Sequence, residues 1–154
     1  TSVKFRTDVA SMCKLGFDIG LKELTADELT YCQTAVANWK RLQNAIMDGD
    51  QYRLVSPYEG NHMALNYVSK DTNKAVLFAY DIHPRFQEKL MAVKLQGLDP
   101  NKQYKVEEIN LMPSVTSKLG SNGKVFSGDY LMKVGLNVFG LAMTQSHVIE
   151  LTAQ

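Results

Sequence analysis

The sequence predicts a mainly β fold: an antiparallel β-sandwich of Greek-key type with about seven or eight strands, preceded by one long α-helix and an N-terminal strand and loop. Three observations carry this reading. From residue 51 onward, short β-rich runs alternate with turn clusters at intervals of roughly 8–14 residues. Ahead of them stands one capped stretch with helical periodicity, and ahead of that an isolated extended run.

The extended run is Val3–Met12, whose apolar content comes from Val3, Phe5, Val9 and Ala10. No second strand lies near it in sequence, so its backbone groups need a sheet found elsewhere. The helix follows a connection containing Gly16 and Gly20. Thr25-Ala26-Asp27-Glu28 has the form of a capping box, in which the Thr25 hydroxyl and the Glu28 carboxylate each satisfy an amide at the helix start. Leu29, Cys32, Val36, Trp39, Leu42 and Ile46 then recur every three or four residues as one apolar stripe. Lys40 and Arg41 favour its C-terminal half, and Asp48-Gly49-Asp50 ends it.

The strands are expected at Tyr52–Ser56, Met63–Ser69, Ala75–Tyr80, Leu90–Leu95, Tyr104–Leu111, Tyr130–Leu136 and Val148–Leu151. Pro57–Asn61, Lys70–Asn73 and Gly97–Asn101 supply turn chemistry between them, and Pro113–Gly128 reads as a Ser/Gly-rich surface loop.

Composition excludes several function classes. The chain has 154 residues, 45% hydrophobic and 21% charged, the balance of an ordinary globular protein of one domain or one domain plus a fragment of another. A net charge of +1 provides no field for nucleic acid. No apolar window is long enough to cross a membrane, so a soluble protein is expected, in a bacterial-type cytoplasm or periplasm. Cys13 and Cys32 are too few for a disulfide scaffold or zinc site and are read as buried free thiols. The start at Thr1, with neither Met nor signal peptide, suggests a piece cut from a longer chain.

The search for chemistry returns no complete centre. His62, His83 and His147 are widely spaced, without a second ligand at metal-binding separation, so no metal or cofactor is expected. No phosphate loop or nucleophile elbow is present; Gly120-Ser121-Asn122-Gly123 is a turn. Paired carboxylates could hydrolyse glycosides, but Glu107 and Glu108 are adjacent on a strand and face opposite ways. Asp27, Glu28, Asp48, Asp50, Asp71, Asp99 and Asp129 belong to helix ends and turns, leaving Asp8 and Asp18 near the first segment as weak candidates. Tyr52, Tyr58, Tyr67, Phe78 and Tyr80 could stack on sugars, though aromatics on strands are more often core.

Six segments taken together resemble one family. They are Lys4-Phe5-Arg6 through Leu15-Gly16, Ala37-Asn38-Trp39-Lys40-Arg41-Leu42, Tyr52-Arg53-Leu54-Val55-Ser56-Pro57-Tyr58, Ala75-Val76-Leu77-Phe78-Ala79-Tyr80, Leu95-Gln96-Gly97-Leu98-Asp99-Pro100 and Ser127-Gly128-Asp129-Tyr130-Leu131-Met132. In this order they resemble the C-terminal end of α-galactosidases of glycoside hydrolase family 36, across nearly the whole chain.

The resemblance implies that residues 1–48 are the last strand and helix of an incomplete (β/α)₈ barrel and that residues 51–154 are the C-terminal antiparallel sandwich. It implies a parent enzyme that hydrolyses terminal α-galactosyl oligosaccharides with retention, using two aspartates upstream of Thr1. No catalytic or substrate-binding residue is then carried here, and the remainder of the barrel is the partner. On that template the loop Ser11-Met12-Cys13-Lys14-Leu15-Gly16 would follow the last barrel strand, on the side where barrel active sites form, with Cys13 in place of the small residue, often glycine, expected there; whether it borders the galactose pocket stays open. A stand-alone carbohydrate-binding or interaction module is the alternative, and it would need exposed aromatics on one sheet face. An unpaired Val3–Met12 edge would dock on its own sandwich or be exchanged in a homo-oligomer.

Overall fold

The computed structural model describes residues 1–154 apart from the side chain of Leu21. Helices α1 (Val3–Ala10) and α2 (Ala26–Met47) precede strands β1 (Asp50–Val55), β2 (His62–Val68), β3 (Lys74–Asp81), β4 (Gln103–Ile109) and β5 (Val125–Ser127). Helix α3 (Gly128–Lys133) and strand β6 (Gln145–Ala153) complete the order. The six strands form one antiparallel sheet in the order β1-β2-β3-β6-β4-β5, so the architecture is mainly β and antiparallel, as the sequence predicts. The last strand in sequence sits mid-sheet, pairing from Lys74↔Thr152 to Asp81↔Gln145 on one side and with β4 on the other.

The N-terminal segment is not a strand. Val3–Ala10 is helical, with Ser2 as N-cap accepting from the Phe5 amide at 3.1 Å and Lys4 paired to Asp8 one turn on. A helix satisfies its backbone internally, so this segment needs no sheet partner and offers no free strand edge for exchange. Leu90–Leu95 contributes only one bridge, Val93↔Leu136. Tyr130–Leu136 is mostly α3, whose N-cap Ser127 accepts from the Tyr130 amide at 3.1 Å. Conversely, Val125–Ser127 pairs with β4 inside the stretch expected to be loop.

Both sheet faces are covered, so β3 is buried along almost its whole length. On one face Ala75, Leu77, Ala79, Tyr104, Val106, Ile149 and Leu151 pack against Val93, Leu95, Leu98, Leu131, Leu136 and Val138. The segments read as extra strands thus supply an irregular second layer. On the other face Leu65, Tyr67, Val76, Phe78, Tyr80 and Val148 meet Leu42 and Ile46 of α2.

The capping box at Thr25 and Glu28 is present. The buried side of α2 is Tyr31, Cys32, Ala35, Leu42, Ala45 and Ile46, rotated slightly from the sequence stripe. Leu29 and Val36 instead join Phe17, Ile19, Leu24 and Cys32 in an open apolar furrow of about 340 Å³. At the tighter turn Gly97 takes φ +78°, and any Cβ there would strike the Tyr52 ring at 2.3 Å.

Candidate functional site

Two polar clusters meet at one end of the sheet. The first is centred on Asp8, whose side chain is fully buried. Its Oδ1 accepts from the Tyr31 hydroxyl at 2.8 Å and from Asn110 Nδ2 at 3.1 Å; Oδ2 accepts from Lys4 Nζ at 2.5 Å and Ser146 Oγ at 2.7 Å. Asn38 in turn donates to Asn110 at 2.9 Å. One carboxylate therefore ties together α1, α2, β6 and the residue that follows β4. Burial, reinforced by the charge of Asp8, pushes the Tyr31 and Tyr80 hydroxyls far above the ordinary tyrosine range, so both remain protonated donors.

The second cluster runs across four strands on the opposite face. His62 Nδ1 lies 2.8 Å from Asp81 Oδ1, its cross-strand neighbour, and His62 Nε2 lies 3.6 Å from Glu88. Asp81 Oδ2 accepts from the Gly140 amide at 2.9 Å and faces His147 Nε2 at 4.0 Å. His147 Nδ1 lies 2.6 Å from Glu108, which also accepts from Ser117. The result is an alternating row, Glu88–His62–Asp81–His147–Glu108, which fastens three loops to the sheet end.

Glu108 and His147 open onto a cleft of about 390 Å³ also lined by Lys4, Thr116, Lys118 and Ser146. The chemistry available there is limited by how its charges are engaged. Asp81 and Glu108 address opposite nitrogens of one imidazole, so the ring fills the space between them where a scissile bond would have to lie. Their side chains are 0% and 4% exposed. Among the described residues no group of three His, Cys, Asp or Glu is arranged to hold a metal ion.

The other sequence candidates are scattered. Asp18 and His83 are exposed. Glu107 points away from Glu108, as expected, and pairs with Lys105 at 2.7 Å. Cys32 is a buried free thiol; Cys13, expected to be buried, is exposed because it follows the end of α1 at the surface. Tyr67, Phe78 and Tyr80 are core and Tyr52 packs against it, which leaves only Tyr58 open to solvent. Sequence reasoning missed Lys4, Tyr31, Asp81, Glu88, Asn110 and Ser146. The single legible signal was the Lys4–Asp8 spacing, one helical turn.

Glu108 supplies a pH prediction. Burial alone would raise its carboxyl pKa, but hydrogen bonds from His147 and Ser117, with the nearby charges of His147 and Lys4, hold it below the usual value. A depressed carboxylate contributes stability that is present above its unfolded pKa of about 4.3 and lost as pH falls through the lower folded value. Urea midpoints measured from pH 6 downward therefore drop below about pH 4.3. Glu108→Gln flattens that acid limb.

Among the described residues no helix is long and apolar enough to cross a membrane. Comparison with known proteins gives a consistent result. The sequence model of the glycosyl hydrolase family 36 C-terminal domain matches residues 62–151. Probable α-galactosidase C of Aspergillus flavus is 34% identical over 135 residues, covering 87% of this chain and 16% of that protein. The crystal structure of α-galactosidase AgaB from Geobacillus stearothermophilus superposes with TM-score 0.85 at 29% identity, over 100% of this chain and 20% of that one. A variant of AgaA from the same organism, solved in complex with raffinose, gives TM-score 0.85 at 28% identity over the same shares. The chain thus spans about a fifth or less of the length of these relatives.

Proposed function

Because the chain belongs to glycosyl hydrolase family 36, matching its C-terminal domain, we propose that it is the C-terminal portion of a retaining α-galactosidase. That enzyme acts on terminal α-galactosyl oligosaccharides, and this portion is the non-catalytic scaffold that caps its barrel. Residues 1–48 are the end of the barrel and residues 51–154 the sheet domain. One observation carries the reading: the buried carboxylates of the polar sheet end are each tied to a cation, an imidazole or a hydroxyl within the domain. A charge so engaged organises structure; it is not free to attack or protonate a sugar.

The open furrow between Phe17, Leu24, Leu29 and Val36 is where the rest of the barrel packs. Its lining residues apart from Gln33 are apolar, and leaving a large apolar side chain in water forgoes roughly 1.5–3 kcal/mol.

The test is an assay with an aryl α-galactoside. The 154-residue chain shows no turnover above buffer, and the longer enzyme that carries it does. Turnover by the isolated chain overturns the scaffold reading. Calorimetric titration of the chain with raffinose and melibiose shows no heat, whereas a carbohydrate-binding module would release it.

A further inference from the structure

Among the described residues, the large apolar side chains that are more than half exposed are Tyr58, Phe86, Met91, Val115, Leu141 and Met143, from 98% for Tyr58 down to 52% for Val115. Single exposed apolar residues scattered over a surface are ordinary, but these are not scattered. β2 begins at His62 opposite the end of β3 at Asp81, and Asp81 pairs with the start of β6 at Gln145. At the same end β4 stops at Ile109, beside Val148. The segments carrying all these side chains, 56–61, 82–92, 110–124 and 134–144, therefore join the sheet at one end.

The segments are also held there. Glu88, two residues after Phe86, faces His62 and accepts from Asn61 Nδ2 at 3.2 Å, and the Asn61 carbonyl accepts from the Ile82 amide at 2.9 Å. The Gly140 amide, next to Leu141, donates to Asp81, and the Ser117 hydroxyl, two residues after Val115, donates to Glu108. Each segment is thus pinned by a carboxylate of the polar row, so the apolar tips stand on ordered backbone rather than on slack chain. Clustered apolar side chains exposed on a fastened scaffold mark an interaction surface.

What covers them is indicated by where the chain enters. Ser2 and Lys4 line the same cleft as Val115 and Met143, and the Lys4 ammonium reaches the Ser146 carbonyl at 3.0 Å, at the start of β6. The chain spans about a fifth or less of its relatives, and the domain it matches is the family's C-terminal one. In the longer enzyme most of the protein then comes before Thr1 and reaches this domain at the rim of that cleft.

The geometry points to a second docking surface, in which the tips at Tyr58, Phe86, Met91, Leu141 and Met143 seat the part of the longer enzyme that precedes Thr1. This rests on the reading above, which places that part on the open furrow beside α2, and it adds a separate area of contact at the sheet end. Two areas on different elements fix the orientation of one body against another, where a single furrow leaves it free to pivot.

The test compares the longer enzyme with the 154-residue chain. Dilute hydrogen peroxide passes one oxygen atom to an exposed methionine sulfur and leaves as water, and peptide mass spectrometry reads each site. Met91 and Met143 oxidise roughly tenfold more slowly in the longer enzyme, which corresponds to about 1.4 kcal/mol of protection. Added free methionine reacts equally in both samples. Phe86→Ser and Leu141→Ser lower the melting midpoint of the longer enzyme by several degrees, whereas a site open to solvent tolerates either with little change. Equal oxidation rates or unmoved midpoints overturn the docking surface. Protection that disappears when the longer enzyme is diluted to monomers assigns the tips to a second copy and overturns it as well. A longer enzyme without α-galactosidase activity overturns the functional reading, while oxidation and melting still report on the surface.

Discussion

Asp8→Asn lowers the stability of the domain by roughly 3–5 kcal/mol, the cost of breaking a buried ion pair from one side. The carboxylate accepts from four side chains on four parts of the fold, and Lys4 reaches both it and the Ser146 carbonyl at 3.0 Å. An amide can accept at one terminal atom only, so the substitution confronts a donor with a donor and strands the Lys4 ammonium without its counter-charge. The loss is not uniform. Exchange protection of α1 falls to that of an exposed segment, whereas the β3–β6 ladder retains protection in proportion to the stability that remains. Urea denaturation with residue-resolved exchange reads both. A drop under about 1 kcal/mol would show that the cluster contributes no more than a surface pair.

Phe78→Ala has an effect of similar size from a different cause. Phe78 is 1% exposed, lies edge-on to Tyr67 with ring centroids 6.1 Å apart, and belongs to the layer where α2 meets the sheet. Deleting a buried phenyl ring costs roughly 3–5 kcal/mol through lost transfer energy and the cavity left behind. Because α2 reaches the sheet through a few residues, chiefly Leu42 and Ile46, the void opens beside the helix and loosens it first. Thermal melts followed by near-ultraviolet circular dichroism, which reports Trp39 on α2, give a lower midpoint. The far-ultraviolet signal of the sheet at low temperature stays native.

The pattern of these sensitivities explains what could be read in the sequence. Turn chemistry and the spacing of β-rich runs between turn clusters found β1, β2, β3, β4 and the centre of β6, because both are local properties of the sequence. The capping box found α2 for the same reason. The reading of Val3–Met12 as a strand gave weight to β-branched and aromatic content, yet Ser2 before the run and the four-residue Lys4–Asp8 spacing are helix signals, and both are used. Around Ser127 one residue ends β5 and caps α3, a change of period too abrupt for a window to detect. The two polar clusters were less accessible still. His62, Asp81, His147 and Glu108 become neighbours only through pairing between strands far apart in sequence, and no local pattern announces that. The resemblance to a family, by contrast, was legible because it rests on ordered local segments.

The placement of β6 between β3 and β4 has a consequence for how the domain is made. Contacts such as Lys74↔Thr152 span most of the sheet domain's sequence, so β1, β2 and β3 emerge from the ribosome long before the strand that must cover β3 on its open side. Until then the apolar edge of β3 is exposed as a template for any passing strand. Assembly must be slow and late, with loop closure completed before the central pairs compensate for it.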